Sequence, residues 1–327
     1  MTRLKLYSPF WWVGGFSLLL SILSSGCVHE FPHIPDAADA VAVNLRLVPD
    51  KDWETQDFDP STRGDDADVF AADGWQSRYV VKVFAKDSRK FPVEECVCYG
   101  EVGEEWFDFS VSLNPGEWDI YVWRDFCHPS LSFHNAERFE AVSYAGDEYH
   151  GAHEMREAFE GMVSVNTVNV SDDGCVVATV PLHRPVAKYV FIATDYSRFC
   201  DGDGDKRDGY SVEGVYPLFM PSVYNMFTKQ IVDSETGRSY LCGITPLSED
   251  EAMIAFDHVF MNDRDNAAQV QLLLHDPGGG VRSMTTTLTV PLRRGVTTFV
   301  RGDFLTVRSG GGIKIDTSFS GEFNIQL

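Results

Sequence analysis

The sequence predicts an all-β chain: two tandem β-sandwich domains with one short surface helix. Three observations carry this. Apolar residues alternate with polar ones at a period of two in run after run, the runs are short and divided by turn residues, and aromatic residues fill 13% of the 327 positions. Successive side chains on a strand point to opposite faces, so such alternation marks strands with one buried face, and many short strands of this kind pack as a sandwich.

The elements follow in order. Val41, Val43, Leu45 and Leu47 alternate with Ala42, Asn44, Arg46 and Val48 to give a half-buried first strand. Positions 49–74 are acidic and turn-rich around Pro60 and Gly64, a long surface loop. Tyr79, Val81 and Val83 open a second strand, Val93 to Tyr99 a third, and Phe107, Phe109, Val111 and Leu113 a fourth. Asn114-Pro115-Gly116-Glu117 is turn chemistry, because proline presets its backbone angle and glycine accepts a positive one. With Trp118, Ile120 and Val122 beyond it, the pattern predicts a strand, tight turn, strand unit in an up-and-down antiparallel sheet. Ala152 to Gly161 is the helical candidate, with glutamates and Arg156 on one side, Met155, Ala158 and Phe159 on the other, and Gly161 closing it. Val163, Val165 and then Val176, Ala178, Val180 and Leu182 return to strand periodicity.

Pro185 punctuates His183 to Lys188 before a strongly apolar strand, Tyr189 to Ala193, and the domain boundary falls here: 41–183 and 184–327. The second half predicts strands near 210–220, 239–244, 255–261, 268–275 and 284–292. Its last residues, Glu322 to Leu327, alternate again, which puts Phe323, Ile325 and Leu327 on one face. Unpaired strand edges accept or donate strands between subunits, so these three are candidates for strand donation in an assembly.

Residues 1–26 have the layout of a signal peptide: Arg3 and Lys5, an apolar run from Phe10 to Leu23 broken by glycines and serines, then small residues before Cys27. The run falls short of the ~20 apolar residues a membrane span needs. Ser24-Ser25-Gly26-Cys27 looks like a bacterial lipobox, in which the cysteine is acylated and becomes the first mature residue. It departs from that pattern at Ser24, where a large aliphatic residue is usual. A plain secretory peptide is the competing reading. Acylation at Cys27 would tie the protein to a membrane, each buried methylene contributing ~0.8 kcal/mol. Residues 27–40, with Pro32 and Pro35 and no periodicity, suit an extended tether.

Removing residues 1–26 takes away Arg3 and Lys5 and no acid, so the formal charge moves from -22 to -24. Such a balance repels nucleic acid and anionic head groups, which excludes nucleic acid as an expected partner and leaves the lipid as the membrane contact. Cys96, Cys98, Cys127, Cys175, Cys200 and Cys242 remain in a disulfide-permissive setting, and spacing does not choose among their pairings.

No candidate chemistry rises above its structural alternative. Asp201, Asp203 and Asp205 resemble the start of a calcium loop, but Lys206 stands where glycine is expected and Val212 where glutamate is expected, so an acidic surface turn is the default. Cys127 and His128 are adjacent on a strand and face opposite ways, which does not make a nucleophile and base. His150, His153 and Glu154 have ligand-like chemistry in a solvated acidic loop. No cofactor motif occurs, and an enzyme is not expected. Trp53, Trp75 and Trp106 sit beside loops, where exposed indoles would form a glycan platform; Trp118 lies on the inward face of its strand.

By number and order, several segments resemble the FimB-type fimbrial anchor and minor-subunit family of the Bacteroides group, the lipoproteins of type V pili. They are Cys27-Val28-His29-Glu30-Phe31, Leu113 to Ile120 with Trp123, Arg156-Glu157-Ala158-Phe159-Glu160-Gly161, Arg184 to Tyr189, Met220 to Asn225, Glu251-Ala252 with Phe256 to Phe260, and Gly311 to Asp316. The resemblance implies two transthyretin-like β-sandwiches, attachment to the outer membrane through the lipid on Cys27, fimbrial subunits as partners, and a role in anchoring or assembling a fimbria. The alternative is a glycan-binding surface lipoprotein on similar sandwiches, with Trp53, Trp75 and Trp106 as its platform.

Overall fold

A computed structural model describes residues 40–50, 74–146, 148–170, 174–201, 209–262, 266–306 and 322–324. Among them the chain is almost entirely strand, in four sheets. The first sheet runs β10 (Cys175–Leu182), β1 (Val41–Pro49), β4 (Phe107–Leu113). The second runs β3 (Glu94–Gly100), β2 (Gln76–Ala85), β5 (Glu117–His128), β6 (Leu131–Ser132), with β9 (Ala158–Asn166) also on β5. The third runs β17 (Val281–Met284), β16 (Asn266–His275), β12 (Ser211–Asn225), β8 (Val142–Tyr144), β7 (His134–Asn135); β13 (Gln230–Gly243) pairs β12, and β18 (Leu288–Leu292) pairs β16. The fourth runs β14 (Thr245–Pro246), β15 (Ala252–Phe260), β11 (Val186–Ala193), β19 (Thr297–Gly302), β20 (Glu322–Asn324). Among the described residues the one α-helix is α1, Tyr196–Asp201.

Alternation is what builds these sheets. Val43, Leu45 and Leu47 of β1 are buried while Ala42 and Arg46 are exposed, and they close a core with Tyr79, Val81 and Val83 of β2 and Ile120 and Val122 of β5. The first two sheets therefore face each other across one apolar core, and the third and fourth across another, centred on Tyr189, Phe191, Ile254, Val270 and Val300. A third core lies between these layers. Val80, Phe84, Tyr121 and Trp123, from the opposite face of β2 and β5, pack with Phe139, Val142, Tyr224 and Phe260. Each large side chain fully buried there contributes ~1.5–3 kcal/mol. Residues Val41–Leu327 accordingly hold together as one compact unit.

Three local expectations are corrected. Asn114 to Glu117 does not close a hairpin: β4 pairs β1, β5 pairs β2 and β9, and the turn carries the chain from the first sheet to the second. Thr167 ties it down, accepting from Gly116 N at 2.9 Å and donating to Asn114 O at 2.7 Å, while Trp118 Nε1 donates to Asn114 O at 3.1 Å. The first sheet is also not purely antiparallel, since β1 runs parallel to β10. Finally, Ala152 to Gly161 is not a helix: a single 3-10 turn, Glu154–Arg156, leads into β9. Ala158 enters the third core and Phe159 the first, on opposite faces of one strand, which a helix cannot arrange. Gly161 is required by close approach and not by a helix end, because a Cβ there would fall 2.6 Å from Pro181 O.

Candidate functional site

The strongest concentration of buried chemistry is a charged seam along residues 154–160. Met155 and Phe159 commit this segment to the first core, and its polar residues then point at the second half of the chain. Each meets an opposite charge there: Glu154 with Lys188 at 2.6 Å, Arg156 with Asp257 at 2.8 Å, Glu157 with Arg184 at 2.6 Å, and Glu160 with Arg294. Glu160 also accepts from Tyr224 Oη at 3.0 Å.

Arg156 and Asp257 form the centre. The guanidinium packs against the rings of Tyr144 and Tyr149, 4.4 and 4.3 Å from their centroids, and its Nη1 also reaches His150 O at 3.2 Å. Asp257 Oδ2 accepts from Tyr149 Oη at 2.5 Å and Tyr216 Oη at 2.6 Å. Tyr216 has spent its one proton on the carboxylate, so Tyr189 donates to Tyr216 at 2.7 Å and Tyr240 donates to Tyr189 at 2.9 Å. Burial alone would lower the Arg156 pKa, but the charge of Asp257 and the neighbouring tyrosines hold it above its ordinary value. Burial pushes Glu157 and Glu160 above the usual carboxylate range against the pull of Arg184 and Arg294. His258, buried and surrounded by Lys188, Arg156, Arg184 and His134, is driven well below its ordinary pKa and is neutral.

A second polar knot holds the same junction. Arg78 binds Asp125 in a fork at 2.8 and 2.5 Å and donates to His134 O at 2.8 Å. Burial would raise the Asp125 pKa, yet His134 and Arg78 draw it below the ordinary value. Such buried pairs add little net stability, but losing one partner is expensive, so they fix which surfaces meet.

Beside the seam opens a cleft of about 900 Å³, lined by Phe133, Tyr149, His150, His153, Glu213 and His275 among others. His275 Nε2 sits 2.9 Å from Glu213. Tyr240 forms part of its wall and is wedged against two glycines: a Cβ on Gly151 or Gly214 would fall 2.4 Å from its ring.

The predicted site residues are scattered. Cys27, Trp53, Asp203, Asp205, Ile325 and Leu327 lie outside the described residues. Asp201 ends α1. Phe323 is in β20, opposite Val300 of β19 at the margin of the fourth sheet. Trp75 is half-buried, stacked on Phe133 at 5.6 Å and against His153 at 5.1 Å. Trp106 is 48% exposed, with the Arg46 guanidinium 5.3 Å from its ring centre. Cys96, Cys98, Cys127, Cys175, Cys200 and Cys242 are free thiols; Cys96 and Cys98 stand 3.9 Å apart, and burial, then Cys98, push Cys96 up to about 12. Among the described residues no group of three metal-ligating side chains converges, and no helix is long and apolar enough to cross a membrane. The seam went unread in the sequence, because its four charges in seven residues include Arg156 and Glu160, an i, i+4 pair of opposite sign that an exposed helix would also carry.

A family model described as a family of unknown function, DUF6562, matches residues 35–327. No curated protein matches the chain. Solved structures similar to it include the fimbrial anchor protein Mfa2 of Porphyromonas gingivalis, at 10% identity and a TM-score of 0.41 over 76% of this chain and 82% of that one. The tip fimbrial protein Mfa3 of the same organism gives 14% and 0.39 over 77% and 81%. A fimbrial assembly protein of Parabacteroides distasonis gives 12% and 0.40 over 84% and 94%. Likeness at this level assigns no activity.

Proposed function

The chain belongs to the family of unknown function DUF6562, and from that premise we propose that it is a non-enzymatic surface lipoprotein of FimB type, which anchors or helps assemble a type V fimbria at the outer membrane. Lipid on Cys27 would hold it, residues 27–40 would serve as the tether, and the two sandwiches, 41–183 and 184–327, would carry fimbrial subunits. The observation that supports the reading is the junction itself: β1 lies in the first sheet and β20 on the margin of the fourth, and the charged seam joins the layers between. An attachment that must transmit force needs layers that do not slide apart, and buried ion pairs fix such a junction. Capture of the fimbrial shaft by the full chain and by a chain lacking Phe323 to Leu327 tests the assembly role. Capture is expected to fall without the strand; unchanged capture removes the strand from the reading.

The glycan-binding alternative is favoured by the open cleft beside Phe133 and Tyr149 and by exposed Trp106. Calorimetry against surface polysaccharide, with Trp106→Ala as comparison, tests it: heat that Trp106→Ala abolishes supports the platform.

A further inference from the structure

We infer that the free edge of β3 is a second attachment surface, built to take an extended, basic, apolar strand from a partner protein. Among the described residues β3 pairs only with β2, in a register free of bulges: Val97 stands opposite Val80, Glu95 opposite Lys82, and Tyr99 opposite Arg78. Those β2 residues lie on the face that packs into the junction core, so the row on β3 continues the same face. The cover stops short of it. Ala136 and Phe139 lie over Val80 and Phe84, and the row beside them stays open: Val93 is 52%, Val97 47% and Tyr99 55% exposed, with Phe91 at 78% just before the strand.

Open strand edges are ordinarily blunted by lysine, proline, bulges or polar side chains. The edge strand β4 obeys this, presenting Asp108, Ser110 and Ser112 to solvent. Strand β3 combines regular pairing with a mainly apolar row, Val93, Val97 and Tyr99 broken by Glu95, the two things that strand addition uses: main-chain hydrogen bonds for affinity and alternate side chains for specificity. Charge selects the occupant. Residues 91–105 hold Glu94, Glu95, Glu101, Glu104 and Glu105 and neither lysine nor arginine. On the face of β2 beside it the cations are engaged, Lys82 with Glu95 at 3.0 Å and with Glu137 O, and Arg78 with Asp125, while Arg89 and Lys90 stand exposed before Phe91, so the acidic character is strongest from Glu94 to Glu105. The incoming strand therefore carries β-branched or aromatic residues toward Val97 and Tyr99 and lysine or arginine at its ends. A second copy of this acidic chain is disfavoured at the same edge.

The surface is independent of the C-terminal strand, so removing Phe323 to Leu327 leaves it intact and the two ideas fail separately. The test uses the mature chain and a labelled peptide of alternating valine and threonine with lysine at both ends, beside a counterpart ending in glutamate. The lysine peptide is expected to bind roughly tenfold or more tightly than the glutamate peptide, to weaken with salt, and to slow hydrogen exchange in residues 94–100. The double variant Val97→Asp, Tyr99→Asp is expected to lose about tenfold or more in affinity with an unchanged unfolding midpoint. Should that variant misfold, Glu94→Lys with Glu101→Lys, both exposed, keeps the apolar row and should shift preference to the glutamate peptide. Equal binding of both peptides, protection on β13 instead of β3, an unmoved preference in the charge-reversed variant, or self-association that depends on Val97 and Tyr99 overturns the assignment.

Discussion

The two faces of β2 and β5 are made of the same strands and do different work. The inner face presents Tyr79, Val81, Val83, Ile120 and Val122 to the first core, where apolar area provides most of the cohesion and one buried cation, Arg124, lies against Tyr79, Phe126 and Phe159 and donates to Ser77 Oγ. The outer face presents Arg78, Val80, Lys82, Trp123 and Asp125, and its charges are paired, Lys82 and Asp125 buried and Arg78 half-buried. Apolar packing tolerates many partners of suitable shape, whereas a buried charge tolerates only the surface that carries its counterion. The inner face thus holds a sandwich together, and the outer face, continued by the seam at 154–160, specifies what that sandwich sits on.

The sharpest way to break this contrast is to remove one charge from the seam. Arg156→Met should cost about 3–5 kcal/mol in urea unfolding, since Asp257 is left buried without its cation. A smaller loss, about 1–3 kcal/mol, is expected for Gly151→Ala, whose Cβ must displace the Tyr240 ring. On the inner face Ile120→Val should cost only about 1 kcal/mol. If Arg156→Met costs no more than Ile120→Val, the seam is packing and not address.

Acid supplies a milder probe of the same boundary. His134 and His258 are buried neutral at the junction, with pKa values pushed below the ordinary imidazole value by burial. The unfolded chain therefore binds protons that the folded chain refuses, and stability should fall as pH drops below ~6.5. Thermal unfolding of His258→Gln across that range should show a flatter acid limb. At the small end, Arg46→Ala removes the solvent-exposed fork to Asp108 and should leave the unfolding midpoint where it was.

Strand periodicity was legible wherever one face is buried, as in β1 and β10, because period-two alternation is written by burial itself. It failed at the start of β9, where both faces are buried. At Ala158 and Phe159 the apolar residues are adjacent and the glutamates fall three apart, which imitates a helical face; the second burying surface, the junction core, lies far along the chain and leaves no local mark. Partner choice was also illegible. Nothing in Asn114 to Glu117 says that β4 will pair β1 and not β5, since the same turn serves a hairpin or a crossover between sheets. The counterions of the seam, Arg184, Lys188, Asp257 and Arg294, sit up to 134 residues from their partners and are visible only once the layers meet.

Fractionation of cells expressing the native chain or Cys27→Ala, with fimbrial shaft protein followed in the same fractions, is the most direct measurement. The anchoring role predicts that chain and shaft sediment together with outer membranes in the native case and leave them together when Cys27 is replaced. A Cys27→Ala chain that stays with the membranes, or a shaft that stays behind when the chain is released, would contradict it.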